Sequence, residues 1–343
     1  MQVSTIGIDL AKNVFQVHGA DAQGKAVLVR QLRRKQVIEF FGKLPPCLVG
    51  MEACATAHYW GRELTKLGHT VRLIPPAYVK AYVKRSKNDA ADAAAICEAV
   101  TRPSMRFVPI KTADQQGALS VHRTRDLLIG QRTQLINALR AHLAEVGLVA
   151  DQGRDGLARL VAMTTDASIL QSLPIALLGT VRVILAQLAA LQQQIGDLDR
   201  CLQAQHRASN VSRRLESIPG IGLIGATALA ATITDPSAFK SGRDLAAWIG
   251  LVPRQNSTGG KARLGGISKQ GDRYLRRLLV VGAMAVVRHA RRSPQEHPWI
   301  TKLLAKKPVK LVAIAVANKT ARIAWAIMSQ GGTYRAPALA AAG

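Results

Sequence analysis

The first hundred residues alternate between short apolar runs and amphipathic stretches. VSTIGIDL is an apolar run that ends in Asp9. NVFQVHGAD and KAVLVRQL follow, separated by the turn-like DAQG, and read as two further strands of a meander. QVIEFFGKL reads as a helix and CLVGMEA as a buried strand. ATAHYWGRELTKLG has the spacing of an amphipathic helix closed by Gly68, and HTVRLIPP that of a strand stopped by Pro75 and Pro76. DAADAAAICEAV is helical. Three strands followed by alternating helices and strands predict an α/β layer with a mixed sheet.

From about residue 113 the pattern turns helical. DLLIGQRTQLINALRAHLAEVGL reads as one long helix. A second carries Val181, Ile184, Leu188, Leu191, Ile195, Leu198 and Leu202, stepping by three or four, with Gln among the intervening positions. That is a coiled-coil seam, or one helix of a bundle, paired with a helix of this chain or of a second subunit. A mainly α region opens near residue 207 with HRASNVSRR and continues into LESIPGIGLIGATALAATI. The pattern divides the chain into an α/β domain over 1–112, a helical and coiled-coil segment over 113–206, a C-terminal domain over 207–330 and a tail over 331–343 predicted to be disordered.

The chain has 343 residues, of which 48% are hydrophobic and only 4% aromatic, so the core must be built from Ala, Leu, Val and Ile. Charge changes the picture more. Lys and Arg number 47 against 21 Asp and Glu, a net +26. Such an excess repels itself unless a polyanion is near, and points to nucleic acid. Residues 261–343 alone carry 16 Lys and Arg against Asp272 and Glu296, a net +14. Cys47, Cys54, Cys97 and Cys201 form no C-x-x-C pair and read as small buried apolar residues. The N-terminus lacks a signal peptide's apolar core, and Leu279–Val287 is too short to span a bilayer, so the expectation is a cytoplasmic protein without a membrane partner.

Against this basic background, four carboxylates fall at notable places. Asp9 and Glu52 end apolar strands, and Asp89 and Asp92 lie three apart, on one helix face. Singly, each has a plain reading: Asp9 as a turn residue or cap, Glu52 as a helix-start charge, Asp89 as a helix cap with Asp92 in the first turn. Together they suggest one cluster, because sites in open α/β sheets form beyond the carboxyl ends of strands. Four carboxylates that close repel unless a cation neutralises them, and oxygen ligands alone suit Mg²⁺ or Mn²⁺. Two such ions serve phosphoryl transfer. Lys84, Arg85 and Lys87, just before Asp89, are placed to meet a nucleic-acid backbone.

SIPGIGLIGATALA resembles a helix-hairpin-helix, with Gly220 and Gly222 permitting the tight turn whose N–H groups hold a phosphate; an ordinary αα-hairpin is the plain alternative. Beyond it, RQNSTGGKARLGG is polar, Gly-rich and basic, and reads as a loop between helices without the order of a P-loop. Ser257 and Thr258 lie there among Arg254, Lys261 and Arg263, with Lys269 and Arg273 following. A hydroxyl nucleophile among cations fits phosphate chemistry; turn hydrogen bonds are the alternative.

GIDLAK, GMEACATAHYW, SKNDAADAAAI, the PGIG hairpin and GLVPRQNSTGGKARLGGISKQGDRYLRRLL occur in this order over nearly the whole chain. Together they resemble the DEDD-type transposases of bacterial insertion sequences, RNA-bridged recombinases with a Holliday-junction-resolvase-like N-terminal domain and a serine-bearing C-terminal transposase domain. The resemblance implies an RNase H-like first domain with its acidic tetrad at Asp9, Glu52, Asp89 and Asp92. It implies a coiled coil that mediates dimer contacts, within a homo-oligomer. It also implies a C-terminal serine transiently joined to DNA, and a structured noncoding RNA that pairs with donor and target DNA. One departure stands out. The family pattern has Ser directly before Gly, where this chain has Thr258, with Ser257 one residue earlier. A primary alcohol is the less hindered nucleophile, which favours Ser257 over Thr258. The rival readings are a junction-resolving nuclease, using the same carboxylates with water as nucleophile, and a non-catalytic RNA- or DNA-binding protein.

Overall fold

The computed structural model describes residues 2–83, 88–261 and 263–336, except the side chain of Ser172. Lys84, Arg85 and Lys87, and the last seven residues of the tail, lie outside the described residues. Two compact units emerge. The first gathers residues 1–116, 232–248 and 328–330, and the second gathers 117–231, 249–327 and 331–343.

The first unit is built on five strands, β1 (Thr5–Asp9), β2 (Val14–Ala20), β3 (Ala26–Arg33), β4 (Leu48–Glu52) and β5 (Thr70–Ile74). Their order is β3-β2-β1-β4-β5, antiparallel from β3 to β1 and parallel from β1 to β5. The mixed sheet expected from the sequence is therefore present. Helices α1 (Val37–Gly42), α2 (Ala57–Lys66), α3 (Pro76–Val79) and α4 (Asp89–Val100) connect and cover it. On one face Ile6, Ile8, Phe15, Val17, Met51, Trp60 and Leu64 form a dry core. Phe15 and Trp60 meet edge-to-face at 5.2 Å. Each such side chain contributes about 1.5–3 kcal/mol on burial. Edge strand β3 exposes most of its side chains, including Arg30 and Gln31, which blunts an otherwise open row of backbone groups. The helix over Gly242–Trp248 also belongs to this unit, where Arg106 pairs with Asp244 at 2.8 Å.

The remaining elements in chain order are α5 (Ala113–Ala144), α6 (Arg154–Met163), α7 (Ala167–Ser172), α8 (Ile175–Ala208), α9 (Asn210–Glu216), α10 (Leu223–Thr232), α11 (Gly242–Trp248), β6 (Pro253–Gln255), β7 (Leu264–Ile267), α12 (Arg273–Arg292), α13 (Pro298–Leu304) and α14 (Val309–Gln330). In the second unit α8 runs back along α5. Arg125 pairs with Asp199 at 2.5 Å, Arg132 bonds Gln192 at 2.9 Å, and Leu139 and Leu143 pack with Val181 and Ile184. All seven seam positions of α8 are buried or half-buried, and part of that stripe is filled by α5 of the same chain. Helices α8 and α14 are each long and apolar enough, by length and composition, to cross a membrane; the sequence reading weighed only Leu279–Val287.

Two local expectations need correction. The segment after Pro253 is a two-stranded antiparallel ribbon, β6 with β7, rather than a loop. Its tip is Gly259-Gly260, both at positive φ, the two-residue turn whose twist matches a hairpin. Strands as short as PRQ and LGGI carry no apolar–polar alternation, so only the turn glycines signalled them. Cys47 and Cys97 are buried as expected, but Cys54 and Cys201 are exposed. The start of the tail is tied down, Tyr334 donating its N–H to Ser217 Oγ at 2.8 Å.

Candidate active site

The carboxylate cluster is set by the register of two strands. β1 and β4 pair in parallel with Gly7 opposite Gly50 and Ile8 opposite Met51, so Asp9 and Glu52 occupy the next position on neighbouring strands. Two residues on from Gly7 and Gly50, they project from the same face of the sheet. That face is covered by α4. A Cβ added at Gly7 would lie 2.2 Å from the Ala93 carbonyl oxygen and 2.4 Å from Cys97 N, and one at Gly50 would lie 2.7 Å from Val100 Cβ. Only glycine at both strand positions admits the helix this closely.

The same contacts fix the direction of α4. Cys97 Sγ reaches the Thr5 carbonyl at 3.7 Å, and Ala93 lies over Gly7, so the helix runs antiparallel to β1. From Gly7 to Asp9 the strand advances about 7 Å. Four residues of helix back from Ala93 advance about 6 Å. The first turn of α4, with Asp89 and Asp92, therefore arrives over the end of β1. Asn88 caps this helix, its side-chain oxygen accepting the Ala91 N–H at 2.7 Å. The cap role open to Asp89 in the sequence is thus taken by its neighbour.

Asp9, Glu52 and Asp92 are half-buried and Asp89 is exposed. No hydrogen bond or ion pair joins the side chain of Glu52, Asp89 or Asp92 to another described residue. Cys54, two residues beyond Glu52, reports the local field: its thiol is pushed up by desolvation first, then by the negative charges of Glu52 and Asp9. Both carboxylates thus act on one point. The oxygen donors at this edge are of the hard type that a divalent cation takes. No three of the four carboxylates bring ligand atoms within 4.8 Å of one another; the described cluster that does so is His289, Glu296 and His297 in the second unit, which the sequence reading missed.

In the second unit, the ribbon places Ser257 beside its tip. Ser257 is half-buried, and its Oγ accepts the Arg263 N–H at 3.1 Å across the strands. Thr258 is exposed and pairs with Lys261, whose N–H bonds the Thr258 carbonyl at 3.0 Å. Arg254, Lys261, Arg263, Lys269 and Arg273 are all exposed, and none forms an ion pair with a described residue. Lys269 holds a left-handed φ of 56°, its N–H bonded to the Gly250 carbonyl at 3.2 Å. At the predicted hairpin, α9 and α10 are joined by a turn in which Gly220 has φ +86° and lies against Gly282 of α12: a Cβ on Gly282 would fall 1.8 Å from the Gly220 oxygen. Gly222 is exposed with open space around it. The two glycines therefore differ: Gly220 is required by its positive φ and by packing on α12, whereas Gly222 has neither a positive φ nor a close neighbour.

Comparison with known proteins identifies the family. Residues 6–147 match the family model described as a transposase of the DEDD IS110 type, and residues 212–298 match the transposase IS116/IS110/IS902 family. A probable family 20 transposase of Pseudomonas aeruginosa is 51% identical, over 98% of this chain and 99% of its own length. The transposase of insertion sequence element IS1328 from Yersinia enterocolitica is 40% identical over 97% of this chain and 98% of its own length. A pilin gene-inverting protein of Moraxella bovis is 26% identical over 80% of this chain and 79% of its own length. On this similarity, continuous from the strand-end carboxylates to the basic ribbon, the chain belongs to the IS110-type family of insertion-sequence transposases, enzymes of DNA recombination.

Proposed function

We propose that the first unit is an RNase H-like catalytic domain in which Asp9, Glu52, Asp89 and Asp92 hold Mg²⁺ or Mn²⁺. The observation that carries this reading is the parallel register that sets Asp9 beside Glu52 beneath the first turn of α4. When bound, the ions supply charge to stabilise the attacking and leaving oxygens of a phosphoryl transfer. The domain division at 1–112, 113–206 and 207–330 belongs to the same reading.

Ser257 is the proposed nucleophile. Its oxygen forms an ester bond to the scissile phosphorus, the bond from phosphorus to the 3′ oxygen breaks, and the serine proton is passed on as the 3′ oxygen gains one. The products are a phosphoserine-linked 5′ end and a free 3′-hydroxyl, and the reverse reaction on a second strand completes exchange without an energy source. Arg254, Lys261, Arg263, Lys269 and Arg273 supply backbone contacts to phosphate, as do the N–H groups around Gly220 and Gly222 in a helix-hairpin-helix role. These contacts are sequence-independent, which fits selection of donor and target DNA by a structured bridging RNA. Exposed Ile175 and Val183 on α8 support coiled-coil pairing with a second copy. A cytoplasmic enzyme acting on chromosomal DNA completes the proposal.

The test combines element excision in cells with a denaturing gel for protein–DNA adducts. Asp9→Asn and Glu52→Gln are expected to abolish excision while DNA binding persists. Ser257→Ala is expected to lose the adduct, and Thr258→Ala to keep it. Full excision by both carboxylate variants would end the metal reading. An adduct surviving in Ser257→Ala would move the nucleophile elsewhere.

A further inference from the structure

Asp272 and Glu296 are the two acids set among the 16 Lys and Arg of residues 261–343. Asp272 has an evident task, capping α12 by accepting the Leu275 N–H at 2.9 Å. Glu296 does not. Its carboxylate makes no hydrogen bond or ion pair with a described residue, although Arg288, Arg291 and Arg292 lie within eight residues of it. It lies instead with two histidines. One ligand atom from each of His289, Glu296 and His297 falls within 4.8 Å of the others. His289 Nδ1 and His297 Nε2 are 3.0 Å apart, with the rings nearly perpendicular at 85°.

The backbone that carries these groups is fixed by its own bonds. His289 sits in the last turn of α12, Pro294–Glu296 forms one tight helical turn, and His297 precedes α13. The Ser293 N–H bonds the His289 carbonyl at 2.9 Å, and the His297 N–H bonds the Pro294 carbonyl at 3.2 Å. Thr301 Oγ1 closes the turn, lying 3.1 Å from both the Pro294 and His297 carbonyls. The backbone beneath the ligands therefore needs little ordering when an ion arrives, and the exposed side chains of His289 and Glu296 are open to it.

We propose that His289, Glu296 and His297 form a site for a zinc-class divalent ion, separate from the carboxylates of the first unit. Two imidazoles and one carboxylate are the donor set of a three-ligand zinc site, with the fourth position left to water or another oxygen. Glu296 and His297 also line a cavity of about 770 Å³ with Trp299, Lys319 and Tyr334, which leaves space for that fourth donor. The nitrogen-rich set discriminates against Mg²⁺, which keeps oxygen ligands and most of its water. The lone carboxylate explains itself: a dication amid arginines needs one negative ligand, and neutral imidazoles provide none.

The experiment uses the full chain, untagged and stripped with chelator, titrated with Co²⁺ while the visible spectrum is recorded. The expected result is an intense tetrahedral absorption saturating at one Co²⁺ per chain and displaced by Zn²⁺ but not by Mg²⁺. His289→Gln and Glu296→Gln should each weaken Co²⁺ binding by more than about tenfold. Asp9→Asn should leave it unchanged, which separates this site from the proposed catalytic ions. Circular dichroism of the metal-free variants should match the parent. Absence of the absorption, its displacement by Mg²⁺, or its persistence in both variants would overturn the proposal and leave the pair as hydrogen-bonded histidines alone.

Discussion

The strand-end carboxylates and the serine ribbon are both small polar clusters, yet they are held in opposite ways. Asp9 and Glu52 end strands whose preceding residues are buried, and their spacing is a by-product of sheet register and of a helix seated on two glycines. Ser257 sits on a ribbon whose strand residues are nearly all exposed, fixed by a glycine turn and one hydroxyl hydrogen bond. The first arrangement is rigid because disturbing it disturbs a core. The second has few contacts to lose and so opens at lower cost. Position is thus fixed by packing at the strand ends and by a turn at the ribbon.

Substitutions that weigh the two regions against each other should show this difference. The largest effect is expected from Gly7→Val, because even a Cβ there would press on the backbone of α4. Chemical denaturation should report a loss on the order of 3 kcal/mol. A loss under about 1 kcal/mol would mean that α4 shifts freely, and the contrast between rigid and reaching sites would fail.

A second measurement concerns the base of the ribbon's own unit. His122 is buried, hydrogen-bonded to the Tyr274 hydroxyl at 3.0 Å near the start of α12, and its Nε2 has no partner. Burial first, and then the Arg125 charge, lower its pKa to about 4. The unfolded chain takes up this proton near the ordinary histidine value, about 6.5, before the folded chain does. Stability from this group is therefore complete above about 6.5 and is lost as pH falls toward about 4, by up to about 3 kcal/mol. Melting followed from pH 7 to pH 4 should show the loss, and His122→Gln should flatten it. An unchanged slope in the variant would assign the acid sensitivity elsewhere.

The smallest effect on stability is expected at the ribbon itself. Ser257→Ala removes one partly exposed hydrogen bond, worth about 0.5–1 kcal/mol. A melting shift matching that of Gly7→Val would show the ribbon to be as tightly integrated as the strand edge.

Legibility in the sequence followed the same division. The five strands were readable because each is a short apolar run bounded by turn residues or prolines, two of them ending at Asp9 and Glu52, and α4 because DAADAAAICEAV is almost all helix-forming residues. The ribbon was not readable as strands: PRQ and LGGI lack alternation, and pairing such as Gln255 with Leu264 depends on a turn rather than on burial. The histidine–glutamate cluster was equally hidden, because H-x₆-E-H resembles no short metal spacing until Pro294 and Thr301 fold the turn back. The seam of α8 was visible, but its partner was not, since periodicity marks a face without naming what covers it.

Helix α8 carries a consequence about counting. Its 34 residues span about 51 Å, each adding about 1.5 Å of length and about 100° of rotation. Between Val181 and Leu202 the number of residues is therefore as informative as their identity. Loss of one residue would swing Ile195 and Leu202 about 100° off the buried stripe. Loss of seven would return them to it and shorten the helix by about 10 Å, the rise of about three base pairs along a DNA strand. The buried stripe of α8 thus survives a change of length only in steps that preserve its phase.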